Sequence, residues 1–77
     1  MRNFQKKFLV PSSYLKKDDH ILYANHEYIF QEYIDSNDVN YRVKVLRLSD
    51  NQEIIKKILK SSKIQVLNDK EGVVYTP

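Results

Sequence analysis

The chain has no cysteine and a single glycine, and these scarcities exclude more than any motif establishes. Without cysteine there is neither a disulfide nor a thiolate metal site, so stability must come from packing or from oligomerisation. With Gly72 as the lone glycine, no glycine-rich loop can cradle a phosphate. Uninterrupted apolar runs stop at three or four residues, as in Phe8-Leu9-Val10 and Ile21 to Ala24. Such runs are too short for a membrane-spanning helix, so no membrane partner is expected. The opening MRNFQKKF lacks the apolar core of a signal peptide, which makes the cytoplasm the expected location.

What is present describes one small globular domain, residues 1–77. A chain of 77 residues has room for one core, and at this size only about 60% of the unfolded surface is buried on folding. Hydrophobic residues make up 42% and charged residues 30%, a globular balance rather than a disordered one. Thirteen Lys and Arg against ten Asp and Glu leave a net charge of +3. That excess permits contact with nucleic acid, but it also suits ordinary solubility. Abundant Lys, Asn, Ile and Tyr fit an AT-rich genome, compact or mobile, phage included.

The organising stretch is His20 to Asp50, three runs rich in Ile, Val, Leu, Tyr and Phe separated by two short polar breaks. This pattern predicts a β-meander. Pairing across Ala24 to Glu27 sets Tyr23 opposite Tyr28 and Ile21 opposite Phe30, with Asn25 the pivot most tolerant of positive φ. A second turn at Ser36 to Val39, where Asn37 and Asp38 can bond their own backbone, pairs Ile34 with Tyr41 and Phe30 with Val45. The same register puts Tyr33 beside Arg42, Gln31 beside Lys44 and Ile29 beside Leu46. Ile21, Phe30, Ile34, Tyr41, Val43 and Val45 then form the core, with Glu32 awkwardly among them. A one-residue slip would exchange the two faces.

Flanking segments cover this sheet. Phe8 to Val10 is a candidate strand stopped by Pro11, and Ser12-Ser13 begins a turn or one helical turn carrying Tyr14 and Leu15. Ser49 and Gln52 have capping-box spacing, and Ile54, Ile55, Ile58 and Leu59 recur at helical intervals. A short helix is therefore expected there, docked over the apolar end of the outer face at Leu22, Ile29, Leu46 and Leu48. Lys63 to Leu67 and Val73 to Tyr75 predict a closing hairpin turning through Gly72. The expected fold is α+β and mainly β: five to six antiparallel strands with one short helix. This succession of hairpins, helix and closing hairpin resembles small SH3-like barrels, with an open sheet as the competing arrangement.

Catalysis finds little support in these residues. Asp18-Asp19-His20 and His26-Glu27 lie by turns, where such clusters are ordinary, and no spacing matches a metal motif such as H-E-x-x-H. No enzyme activity, metal or other cofactor is expected. The candidate binding surface is the outer sheet face, with Tyr33, Arg42, Lys44 and Gln31 at its centre and Tyr28 and Arg47 nearby. A second basic patch comprises Lys56, Lys57, Lys60 and Lys63. Tyrosine and arginine suit protein contacts, and aromatic residues flanked by cations also suit single-stranded nucleic acid. The expected function is thus a non-enzymatic binding protein acting on a protein partner as inhibitor, adaptor or accessory factor, self-association included. The alternative is a small nucleic-acid-binding barrel using the same face with the helix lysines. Because Tyr33 and Arg42 both fall outside the expected core, replacing both by Ala is expected to leave the fold intact.

Overall fold

A computed structural model describes residues 6–68. Six strands form one antiparallel sheet: β1 (Lys6–Pro11), β2 (His20–Tyr23), β3 (His26–Ser36), β4 (Asn40–Arg47), β5 (Gln52–Leu59) and β6 (Lys63–Asn68), in the order β1-β6-β2-β3-β4-β5. A 3-10 turn at Ser12–Tyr14 follows β1. It stands where the serines after Pro11 predict one. The expected hairpin through Gly72 lies outside the described residues. Among those residues no helix is long and apolar enough to cross a membrane.

The expected helix is instead β5, paired with β4 along its whole length from Arg47↔Gln52 to Asn40↔Leu59. Its apolar spacing is helical, and the strand accommodates it by turning Ile55 and Leu59 outward while Lys56 falls on the inner side. Asn51 adopts φ 57°, a left-handed turn conformation, so the chain reverses where a helix would begin. The Asp50 carboxylate accepts from the Gln52 N–H at 3.3 Å and supports that reversal. Ile54, Ile55 and Ile58 are β-branched and fit a pleated surface, and the ladder satisfies a row of β4 backbone groups that a helix would leave open.

The sheet is strongly curled. Only Lys60, Ser61 and Ser62 separate β5 from β6, although four strand steps lie between them in the sheet. Strands sit about 4.8 Å apart, so a flat sheet would set the two about 19 Å apart. The four Cα steps from Leu59 to Lys63 span at most about 14 Å. Curling shortens the gap, and the segment after β1 then meets the end of β5. The Ser12 N–H donates to the Ser62 carbonyl at 3.1 Å. The Ser12 hydroxyl donates to the Leu59 carbonyl at 3.0 Å, with the Lys60 carbonyl at 3.2 Å sharing it. No ladder joins β1 to β5, so the sheet remains open and the closed barrel is not formed.

Leu15, Ile21, Tyr28, Phe30, Val43, Val45, Ile58, Ile64 and Val66 fill the inner face. The β2–β3 turn is tighter than expected, pairing Tyr23 with His26 and Ile21 with Tyr28. Ala24 and Asn25 have φ 51° and 67°, the sign pattern of a two-residue hairpin turn that favours Asn-Gly. Since alanine pays a left-handed penalty there, Ala24→Gly is expected to raise stability by about 0.5–1 kcal/mol. A shift in the thermal midpoint measures it, and a fall would show that Ala24 is unstrained.

Two irregularities in β3 revise the outer face. Phe30↔Val45 and Ile29↔Leu46 match the expected register, but the pairing slips between Phe30 and Glu32 and again between Tyr33 and Asp35. Gln31 and Ile34 are the unpaired residues of these bulges. After the first, Glu32 pairs with Lys44 and turns outward, which relieves its awkward place in the core. Tyr33 pairs with Val43 and turns inward, and Ile34 is left 42% exposed rather than in the core.

Candidate functional site

The six residues expected to share a binding surface are divided between the two sides of the sheet. Tyr28 is 2% exposed and belongs to the core. Tyr33 is half-buried, its ring edge-on to Phe30 at 4.8 Å and tilted against Tyr41 at 5.1 Å. Its hydroxyl donates to the Ser12 carbonyl at 2.6 Å and accepts from the Leu15 N–H at 3.0 Å. Tyr33 thereby ties the long strand β3 to the turn after β1. Burial pushes its phenol above the ordinary value of 10.0, because the charged form would lose water.

The other four mark the outer face and its rim. Exposed Arg42 faces Asp35 across the β3–β4 ladder and donates to it through both Nε and Nη2. Lys44 stands 3.9 Å from Glu53, and Gln31 sits at the first bulge. Arg47 lies at the strand end and makes a fork to Asp50 at 3.1 and 2.8 Å. Hydrogen bonds from the two guanidinium groups hold Asp35 and Asp50 below the ordinary carboxylate value. Their stabilisation is present above that value and fades as pH falls through the lowered range. Because both pairs are exposed, acid is expected to loosen them without unfolding the domain.

The second basic patch is also divided. Alternation along β5 places Lys56 on the inner side, its ammonium 5.8 Å from the Tyr28 ring, and Lys57 on the outer side. Beyond the strand, Lys60 reaches the Tyr41 ring at 5.2 Å. Lys63 opens β6 opposite Pro11. A cleft beside β3 is lined by Lys17, Asp18, Gln31, Glu32, Lys44 and Glu53, three carboxylates against two lysines. It offers an anion no concentrated positive charge.

The register does assemble an outer apolar band that sequence reasoning found only in part. Leu67 faces His20, His20 faces Ile29, and Ile29 faces Leu46, with Leu22 and Ile55 on adjoining diagonals. The band crosses β6, β2, β3, β4 and β5, and the strand pairing contains no second layer above it among the described residues. Leu22, Ile29 and Leu46 were expected there under a helical cover. Ile55 was missed because the helix reading placed it inside that cover, whereas the strand leaves it 50% exposed. Comparison with family models, with curated proteins and with solved structures finds no match.

Proposed function

We propose that the protein is a small non-enzymatic binding module that docks a protein partner on the outer face of its sheet. The observation that carries this reading is the apolar band from Leu67 to Ile55, flanked by Arg42, Lys44, Glu32 and Glu53. A central apolar strip with a polar margin is the anatomy of a protein contact. Nucleic-acid binding is the weaker reading. Arg42, Lys44 and Arg47 each already face a carboxylate, and Tyr28, Tyr33 and Tyr41 pack toward the core instead of offering stacking platforms. The curled sheet, with its short β5–β6 link, supports placing the fold near the SH3-like barrels as an opened variant.

Two measurements test the assignment. A photo-reactive side chain at Leu46 is expected to yield a discrete heavier adduct in the native cell, whereas one at Tyr14 is not. At micromolar protein and low salt, single-stranded DNA and RNA are expected to run unshifted. A shift that weakens steeply with added salt would replace the protein-contact reading with nucleic-acid binding.

A further inference from the structure

The edge strand β5 has a backbone phase and a charge pattern that fit a second copy of itself. The Lys60 N–H donates to the Val39 carbonyl at 2.8 Å, which sets the hydrogen-bond phase of the β4–β5 pair. Continuing in steps of two through Tyr41↔Ile58, Val43↔Lys56 and Val45↔Ile54, the even-numbered residues of β5 bond to β4. The backbone groups of Glu53, Ile55, Lys57 and Leu59 therefore point away from the sheet. Ser12 already satisfies the Leu59 carbonyl. No described backbone group bonds the other three on that side.

An exposed edge is ordinarily guarded against promiscuous pairing, often by lysine, and Lys56 and Lys57 fit that role. One antiparallel register turns the guard into a selector. A two-fold axis through Ile55 sets Ile55 opposite Ile55 of the second copy and Glu53 opposite Lys57, twice over. Outward-pointing residues then meet outward-pointing residues, as a ladder requires. Shifting the axis to residue 56 sets Lys56 against Lys56 and removes both Glu–Lys pairs. An axis at residue 57 sets Lys57 against Lys57. Like charges directly opposite are destabilising, and an axis at residue 54 sets Glu53 against Ile55 with no Glu–Lys pair, so only the Ile55-centred register gains both opposite-charge pairs.

We infer that the protein self-associates by antiparallel pairing of β5 with β5 of a second copy, centred on Ile55 and selected by Glu53–Lys57 pairs across the axis. The contact is isologous, as a two-fold dimer requires. It joins the two outer apolar bands end to end through the Ile55 pair. The inference goes beyond the face-docking reading, because it uses the strand edge and stands if no other protein binds the face.

Sedimentation equilibrium from micromolar to millimolar protein is the test, with charge reversals as variants. Glu53→Lys or Lys57→Glu alone places like charges opposite each other twice and is expected to weaken the dimer by about tenfold. The double variant restores opposite charges and is expected to return the constant to within about threefold of the original. Within one strand residues 53 and 57 lie about 13 Å apart, so this rescue can arise only between copies. Ile55→Pro removes an outward N–H, leaves the β4 ladder bonds in place, and is expected to give a monomer. A protein that stays monomeric at millimolar concentration overturns the inference. So does a dimer indifferent to the single reversals, or one that the double reversal fails to rescue.

Discussion

Tyr33→Ala is expected to destabilise the domain by about 3 kcal/mol, a large share of the roughly 4–12 kcal/mol a chain of this size holds. Truncation removes a ring packed on Phe30 and Tyr41 and leaves the Ser12 carbonyl and Leu15 N–H without their partner. Tyr33→Phe separates the two effects: losing the hydroxyl alone is expected to cost about 1–2 kcal/mol. Arg42→Ala, on the exposed face beside Asp35, is expected to leave the urea midpoint nearly unchanged. The combined replacement therefore loses stability through Tyr33 alone, contrary to what the unbulged register implies. Equal midpoints for wild type and Tyr33→Ala would return Tyr33 to the surface.

The raised phenol pKa adds a pH signature. A group whose folded pKa lies above its unfolded value contributes stability that is full below the unfolded value and lost as pH rises through the folded one. For Tyr33 the loss begins near pH 10, where the unfolded phenol ionises but the folded one resists. Tyr33→Phe should flatten this part of the alkaline limb. An unchanged limb would show that the hydroxyl is solvated in the native state.

The second large effect separates strand from helix in residues 52–59. Ile58 is 1% exposed in the core, whereas Ile55 and Leu59 are 50% and 45% exposed. Ile58→Ala is expected to cost about 3 kcal/mol, and Ile55→Ala or Leu59→Ala less than about 1 kcal/mol each. A helix docked through Ile54, Ile55, Ile58 and Leu59 would make all these replacements costly, because all four would lie on its buried stripe. Urea midpoints at unchanged slope compare them directly. Comparable losses at positions 55 and 58 would reinstate the helix.

The proposed face contact and the proposed β5 edge contact have separate signatures. A cross-link from Leu46 to another protein reports on the face, and its absence leaves the β5 edge untouched. Concentration-dependent association rescued by double charge reversal reports on the edge. The proposed face contact rests on side chains and the proposed edge contact on backbone groups, so either can fail without the other.

The sequence by itself determined the meander from His20 to Arg47, the turn chemistry of Asn25 and Asn37, the 3-10 turn after Pro11, and the inward positions of Ile21, Phe30, Val43 and Val45. These follow from alternation and local backbone preference, which act over a few residues. The bulges at Gln31 and Ile34, the inward turn of Tyr33 and the strand state of residues 52–59 were decided by tertiary structure. Each depends on a partner distant along the chain: Ser12 and Leu15 for Tyr33, and the open side of β4 for β5. Apolar spacing at positions 54, 55, 58 and 59 follows the helical period and lacks strict alternation, so the available ladder overrode the local pattern. That choice leaves Ile55 exposed beside a free backbone edge, and a local pattern could not show it.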